Sequence, residues 1–172
     1  MSVQRKVYVI SCGIPKAQQL YELISLLQSA DWDVCSVLTP YATRFGDQEH
    51  LAQLTGHPVR SDYKRPEDPD VLPPADAVVV YPATFNTINK WAMGISDTLA
   101  LGLLCEFTGM RVPILAVPVV NEGKLGAHPA FPRSLRMLRR YGVHVLYDIE
   151  KYPPRNEMSS EVIVDTLQKM ME

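Results

Sequence analysis

The stretch of chain from Asp76 to Leu99 constrains the fold more than any other. It opens with three consecutive β-branched residues, Val78–Val80, and so short an apolar run is typical of a strand buried on both faces of a parallel sheet. Small polar residues follow at Thr84, Asn86 and Thr87, just before a helix pattern begins. We therefore predict a strand, a polar turn and a helix, with the turn at the carboxyl edge of a sheet.

This polar turn has two interpretations. Hydroxyls and an amide that precede a predicted helix, Ile88–Met93, lie beside free backbone N–H groups, and in open α/β folds that combination binds phosphate. Threonine and asparagine are also common N-caps of helices, a role that requires no ligand. The stretch alone leaves both interpretations open.

The rest of the chain alternates strand and helix patterns. Strands are predicted at Lys6–Ser11, Asp33–Leu38, Pro113–Pro118 and Val143–Leu146. Helices are predicted from Pro15 onward, within Tyr41–Leu54, at Asp97–Phe107, at Pro129–Tyr141 and after a cap at Ser159 or Ser160. This alternation predicts a three-layer, doubly wound parallel sheet, a Rossmann-like or flavodoxin-like α/β fold. We expect residues 1–172 to form a single domain.

Polar residues end several of these strands, at Ser11, Thr39, Thr84 and Asn121. The carboxyl ends of parallel strands meet at one edge of a sheet, so we expect the four side chains to converge on one ligand. Gly13 either lets the backbone approach that ligand closely or forms a plain tight turn.

Three further segments have a distinctive composition. The proline-rich, charged segment Lys64–Pro74 predicts a long loop, and such loops often belong to sites. The nearly continuous apolar segment Asp97–Phe107 predicts a buried helix or a subunit contact. The last segment has basic residues on the outer face of a predicted helix, which is either an anion patch or a solvated surface. These residues are Arg133, Arg136, Arg139 and Arg140.

Composition argues against several classes of protein. A net charge of −2 and a pI near 6.1 give no general attraction to nucleic acid or to acidic membranes. We find neither the apolar run of a membrane span nor the apolar core of a signal peptide, so we expect a cytoplasmic protein. The three cysteines, Cys12, Cys35 and Cys105, lack metal-ligand spacing, so we expect reduced thiols and no metal.

The chain resembles the flavin-dependent cysteine decarboxylases, which include phosphopantothenoylcysteine decarboxylase and the lantibiotic-type peptidyl-cysteine decarboxylases. Its central stretch PATFNTINKWAMGISDTLA is similar to that family's Pro-x-Ser-Ala-Asn-Thr-x-x-Lys-x-x-x-Gly-x-x-Asp-Asn-Leu block. The shared residues are Pro82, Asn86, Thr87, Lys90, Gly94, Asp97 and Leu99. Thr39 with Ala42 and Phe45 resembles the family's Thr-x-x-Ala-x-x-Phe segment. The segments Pro118–Asn121 and His128–Ala130 resemble the Pro-x-Met-Asn and His-Pro-Ala segments.

The resemblance implies FMN as the cofactor and a small-molecule or peptide thiol as the substrate. It also implies a homo-oligomer, either a trimer or a multiple of trimers. The phosphate and ribityl chain would contact Gly13, Ile14, Thr39, Thr84, Phe85, Asn86 and Thr87, with Val119 against the flavin. A phosphate dianion favours the N–H groups, hydroxyls and helix N-terminus that these positions offer. The residues leave open whether FMN or FAD is bound.

The chain departs from that family on the catalytic side. The family's catalytic histidine lies about eight residues before the Ala-Asp that precedes the central strand. The residue eight positions before Asp76 in this chain is Asp68, not a histidine. Lys124-Leu125 replaces the Met-Trp of the substrate motif, and no cysteine follows Cys105. Asn121 and His128 are then the candidate catalytic residues, with Asn121 fixing a carboxylate. His128 is either a replacement base or an exposed loop histidine.

Three hypotheses follow. The first is an FMN-binding flavoprotein that oxidatively decarboxylates a cysteine-containing small molecule or peptide with an atypical active site. The second is an FMN-binding but catalytically inactive regulatory or partner-binding subunit. The third is a flavin-free α/β scaffold in which the hydroxyls are only helix caps.

Overall fold

A five-stranded parallel sheet runs through the centre of the molecule, in a computed structural model that describes residues 4–13, 17–121, 123–148 and 158–172. The strands are β1 (Arg5–Ser11), β2 (Trp32–Leu38), β3 (Ala77–Ala83), β4 (Ile114–Pro118) and β5 (His144–Val145). Their order in the sheet is β2-β1-β3-β4-β5, with every neighbouring pair parallel. This is the flavodoxin-like strand order, and it confirms the predicted doubly wound α/β fold.

Helices cover both faces of the sheet. They are α1 (Ala17–Ser29), α2 (Gln48–Thr55), α3 (Phe85–Ala92), α4 (Leu99–Gly109), α5 (Ala130–Arg140) and α6 (Ser160–Met170). Helices α1, α2 and α6 share one apolar core with the Val7 and Val9 side of β1. Helices α3, α4 and α5 share the other core with the Tyr8 and Ile10 side. The sheet is therefore buried on both faces, which explains why its strands are apolar without alternation.

Helix α4 is buried over most of its circumference. Six of its residues have little contact with solvent: Leu99, Ala100, Leu101, Gly102, Leu104 and Phe107. This agrees with the buried-helix alternative for the apolar segment. No helix in the described ranges is long and apolar enough to cross a membrane.

Some element boundaries differ from the sequence-based predictions. Helix α3 begins at Phe85 rather than Ile88, because Thr84 is extended (φ −82°, ψ 160°) and acts as the N-cap residue. Asn86 and Thr87 therefore lie in the first helical turn. Ser159, rather than Ser160, caps α6 by accepting a hydrogen bond from the Val162 N–H. The predicted helix start at Pro15 and residues 149–157 lie outside the described residues.

The proline-rich segment Lys64–Pro74 is irregular, as predicted. Its polar groups bond to one another: Lys64 Nζ lies 2.8 Å from a carboxylate oxygen of Asp70, and Asp68 Oδ2 accepts from the Arg65 N–H at 3.0 Å. Tyr63, just before it, donates its hydroxyl to the Thr98 carbonyl at 3.1 Å. The loop is thus fastened to the start of α4.

Candidate cofactor cleft

A cleft of about 470 Å³ opens at the carboxyl ends of β1 and β3. The strand order reverses between these two strands, because β2 lies on one side of β1 while β3, β4 and β5 lie on the other. Open α/β sheets bind their ligands at such a switch point. The lining residues are Cys12, Thr39, Pro40, Tyr41, Thr84, Phe85, Asn86, Thr87, Lys90, Thr98, Leu101 and Leu125.

The first turn of α3 forms one wall of this cleft. Its N-cap residue, Thr84, accepts no hydrogen bond from the helix backbone; its hydroxyl donates instead to Thr87 Oγ1 at 3.3 Å. Among the described residues, no acceptor engages the backbone N–H groups of Phe85, Asn86 and Thr87. Free N–H groups at a helix N-terminus attract an anion. The local hydrogen bonding therefore favours an anion site over simple capping.

Cys12 lies behind this turn and is almost fully buried. Burial raises the pKa of its thiol to about 11, and hydrogen bonds with the Thr87 side chain and the Thr84 backbone oppose that shift only in part. The thiol is therefore neutral near pH 7 and does not repel an anion in the cleft.

Lys90 is the one charged side chain among the described residues that line the cleft. It follows Thr87 by one helical turn, so both residues face the same side of α3. Lys90 Nζ lies 2.6 Å from Asp97 Oδ2, a carboxylate that does not line the cleft. The described lining of the cleft thus has a cation and no acidic side chain, which suits a phosphate.

The opposite wall follows β1 and β2. Gly13 has φ +93°, and a Cβ there would lie 2.7 Å from Tyr41 Cδ1 and 3.2 Å from the Ala42 backbone. Only glycine fits this conformation and this close approach. Thr39 Oγ1 accepts from the Ala42 N–H at 3.2 Å, which leaves its hydroxyl hydrogen able to donate toward the cleft.

The predicted catalytic residues lie on the loop that follows β4, outside the cleft lining. Asn121 is exposed, and its backbone carbonyl accepts from Gly126 N–H at 2.8 Å. His128 is exposed too; its ring packs edge-on against Phe85, with centroids 5.8 Å apart. Its Nδ1 accepts from the Ala130 N–H at 3.1 Å, at the start of α5. A neutral His128 therefore bears its proton on Nε2 and presents a donor there.

The predicted cofactor residues fall into three groups. Those that line the cleft together are Thr39, Thr84, Phe85, Asn86 and Thr87. Gly13 lies at its edge, against Tyr41. Val119 packs with the α1 and α6 core, on the other side of the sheet from the cleft, and Ile14 lies outside the described residues.

The predicted convergence of four strand ends is wrong in part. Thr39 and Thr84 do meet in the cleft. The Ser11 hydroxyl is buried and donates to the Tyr81 carbonyl at 2.8 Å, because β1 lies beside β3 and that carbonyl is within reach. Asn121 lies three residues beyond Pro118, where the buried strand β4 ends, and is exposed. These two residues therefore do not join the cleft.

Several cleft residues were not predicted as ligand contacts. They are Cys12, Pro40, Tyr41, Lys90, Thr98, Leu101 and Leu125. Lys90 could have been predicted as a cleft residue from the sequence, because it follows Thr87 at helical spacing and so lies on the same face of the helix. Thr98 reaches the cleft as the N-cap of α4, accepting from the Leu101 N–H at 3.2 Å. Within the described ranges, no group of three or more His, Cys, Asp or Glu side chains is arranged to hold a metal ion.

A flavodoxin-like sheet with a cleft of free hydrogen-bond donors at its switch point is typical of α/β proteins that bind mononucleotides. The Flavoprotein family model matches residues 1–171. The chain therefore belongs to the Flavoprotein family, and the prediction of a flavoprotein is confirmed.

Similar proteins include enzymes with two kinds of activity. A cysteine/cysteine sulfinic acid decarboxylase from an unknown prokaryotic organism is 35% identical over 102 residues, or 56% of this chain and 27% of that protein. A dihydromethanopterin reductase (acceptor) from Methanosarcina mazei is 44% identical over 88 residues, or 51% of this chain and 34% of that protein. The chain thus spans about a third or less of these relatives.

A solved structure matches over nearly the whole chain. The FMN-dependent cysteine decarboxylase TvaF from thioviridamide biosynthesis has a TM-score of 0.76 and 26% identity, covering 99% of this chain and 100% of that one. Similarity to an FMN-dependent cysteine decarboxylase agrees with the predicted cofactor and family.

Proposed function

We propose that this chain binds FMN in the cleft and oxidatively decarboxylates a cysteine-containing small molecule or peptide. The observation that carries the proposal is the first turn of α3, whose N–H groups lack acceptors among the described residues while Thr84 and Thr87 stand beside them. That donor set fits a phosphate monoester. The similarity to FMN-dependent TvaF supports the choice of FMN.

The residues of the cleft have distinct roles in this proposal. Thr84, Asn86 and Thr87 hold the phosphate, and Thr39 with the Gly13 backbone holds the adjoining ribityl chain. Lys90 offsets the phosphate charge from the side of α3. Bound FMN would supply a two-electron acceptor for oxidation of the substrate.

The loop after β4 would orient the substrate. The Asn121 amide donates to the substrate carboxylate, which then leaves as carbon dioxide. His128 donates from Nε2, because its Nδ1 accepts from Ala130 N–H. We therefore propose His128 as a donor that orients the substrate rather than as the base.

A second candidate, an FMN-binding protein that lacks decarboxylase activity, is favoured by one observation. Asp68 stands where the cysteine decarboxylases have their catalytic histidine. Its carboxylate accepts a hydrogen bond from the Arg65 N–H within an exposed turn. It offers no base to the cleft. A dihydromethanopterin reductase is also among the similar proteins, which supports a role other than decarboxylation.

Turnover of a thiol substrate distinguishes the two candidates. FMN-loaded protein is mixed anaerobically with a peptide that ends in cysteine, and both flavin absorbance and peptide mass are followed. The first proposal predicts flavin bleaching and a product lighter by carbon dioxide and two hydrogens. A peptide ending in alanine is the matched control. Bound flavin that stays oxidised with every thiol offered would select the second candidate.

We also propose that the chain forms a homo-oligomer, a trimer or a multiple of trimers. Exposed apolar residues at the junction of α3 and α4 and at the end of α4 support self-association, with Met93 and Met110 each 70% exposed and Ile95 also exposed. Sedimentation of the FMN-loaded protein tests this, and a monomer at all concentrations would contradict it.

A further inference from the structure

The charges of this chain are unevenly distributed along its sequence. Residues 107–147 contain six Lys or Arg residues and one acidic residue, a net charge of +5. The whole chain has a net charge of −2, so the remaining residues carry −7. A basic segment in an acidic protein indicates a local site for an anionic partner rather than a general attraction to polyanions.

Most of this positive charge lies on α5. Arg133, Arg136 and Arg140 recur at helical spacing and are all exposed, whereas Phe131, Leu135 and Leu138 are buried on the opposite side. We call these three arginines the α5 stripe. At about 1.5 Å per residue, the stripe is roughly 10 Å long. In the described ranges, no acidic side chain forms a salt bridge with any of them.

Helix stability does not account for two of the three arginines of the α5 stripe, Arg133 and Arg136. Arg133 lies near the N-terminus of α5, the positive end of the helix dipole, where a cation is unfavourable. Arg136 and Arg140 are four residues apart, a spacing at which like charges repel. Arg139 and Arg140 both lie in the last turn, where a cation is favourable, and Arg139 also donates to the Tyr147 carbonyl at 3.5 Å. Arg133 and Arg136 lack such a local structural role.

The α5 stripe begins at the mouth of the cleft. Leu125 lines the cleft and belongs to the 3₁₀ turn Leu125–Ala127 that leads to α5. His128 packs against the cleft residue Phe85 and accepts from the first N–H of α5. Arg133 follows about one helical turn later. A molecule with one end in the cleft can thus extend along the stripe.

We infer that the α5 stripe is a docking surface for a peptide substrate with acidic residues upstream of the cysteine that the loop after β4 would orient at the mouth of the cleft. This inference rests on the proposed function and specifies its substrate class. Alternate side chains of an extended peptide are about 6.6 Å apart, close to the 4.5–6 Å axial spacing of these arginines. Arginine binds carboxylates through paired hydrogen bonds, so Asp or Glu at alternate positions fits the surface.

Fluorescence anisotropy with the FMN-loaded protein tests the inference. The probe is a short labelled peptide that ends in cysteine and carries Asp or Glu at alternate upstream positions. Its counterpart has Asn or Gln there. The acidic peptide should bind roughly tenfold more tightly, with an affinity that falls as salt rises.

Matched variants locate the contact. Replacing two stripe residues, Arg133→Gln with Arg136→Gln, should weaken binding of the acidic peptide by roughly tenfold and leave the neutral peptide unchanged. Removing two exposed cations elsewhere, Arg65→Gln with Lys169→Gln, should change binding less than about twofold. Flavin absorbance in the same samples shows that each variant is folded and loaded.

Three outcomes would overturn the inference. The first is equal affinity for the acidic and neutral peptides. The second is an equal loss of acidic-peptide affinity in both double variants. The third is equally tight, stripe-dependent binding of a single-stranded oligonucleotide or of phosphatidylserine vesicles. With FMN bound, any of these leaves the proposed function intact. Failure to bind FMN at all would instead remove the proposed function.

Discussion

The two sides of the cleft mouth differ in burial and in their agreement with the cysteine decarboxylases. The anchor side, formed by Cys12, Thr39 and Thr84–Thr87, includes side chains only 3% and 4% exposed at Cys12 and Thr87. The loop side, residues 123–128 with Asn121, is exposed, with Leu125 at 53%. The anchor side shares Thr39, Asn86 and Thr87 with the family's segments, although Thr84-Phe85 replaces the Ser-Ala of its central block. The loop side retains Asn121 and His128 but has Lys124-Leu125 in place of the family's Met-Trp. We therefore expect that variants on the two sides can test cofactor binding and the proposed catalysis separately.

The largest expected effect on FMN affinity is at Gly13 on the anchor side. Gly13→Ala should weaken FMN binding by roughly thirtyfold, or about 2 kcal/mol, because its Cβ would push Tyr41 and the Ala42 backbone toward the cleft. Gly142 is the matched control, since it has a similar φ of +92° with nothing within 4 Å of an added Cβ. Both variants should lose about 1–2 kcal/mol of unfolding free energy from backbone strain. Equal FMN affinity in the two variants would show that the Gly13 contact does not shape the site.

A smaller loss is expected at Thr87. Thr87→Val removes a hydroxyl beside the uncapped N–H groups and should weaken FMN binding by roughly tenfold, within the range for a hydrogen bond to a charged group. Riboflavin lacks the phosphate, so its affinity should not change. Thr166→Val, which removes a hydroxyl bonded to the Val162 carbonyl in α6, is the control for loss of a helical hydroxyl. An equal loss for FMN and riboflavin in calorimetric titrations would place the phosphate elsewhere.

Lys90 should contribute less, because Asp97 already offsets its charge. Lys90→Gln should weaken FMN binding by roughly threefold at low salt, and by less at high salt. Asp97→Asn should have the opposite sign and strengthen FMN binding, since it frees the ammonium group. Titrations at two ionic strengths measure both effects. A loss of affinity in Asp97→Asn would mean that the pair positions Lys90 rather than competing with the phosphate.

The smallest effect on FMN affinity should come from the loop side. His128→Ala and His128→Asn should each change it less than about twofold, because the ring lies outside the cleft lining. His128→Ala should lose about 1 kcal/mol of unfolding free energy with the bond to Ala130, and asparagine should restore part of it. Thermal unfolding and flavin titration give the two quantities. A large loss of FMN affinity in His128→Asn would show that the loop side also binds FMN, and would contradict the division between the two sides.

Much of the anchor side could be predicted from sequence because its signals are local. The Val78–Val80 run predicts the buried strand β3, and the polar residues after it predict the donors of α3. The exact start of α3 was missed, since it depends on the extended conformation of Thr84. Periodicity also placed Arg133, Arg136, Arg139 and Arg140 on the outer face of α5, where all four are exposed.

The remaining features depend on contacts between distant segments. Ser11 and Thr39 both end strands, yet only Thr39 lines the cleft, because the Tyr81 carbonyl of the neighbouring strand accepts from Ser11. The close approach of Tyr41 to Gly13 depends on how two loops pack together. Strand and helix periods identify the face on which a residue lies, but not the partner it meets there.

The most direct test of the account is a comparison of FMN with riboflavin as ligands of the purified, flavin-free protein, with free FMN and riboflavin spectra as references. The central claim is that the uncapped first turn of α3 binds a phosphate. The account predicts that FMN binds at least tenfold more tightly than riboflavin, because only FMN carries the group that these N–H donors and hydroxyls recognise. Equal affinity for the two flavins, or no binding of FMN, would contradict it.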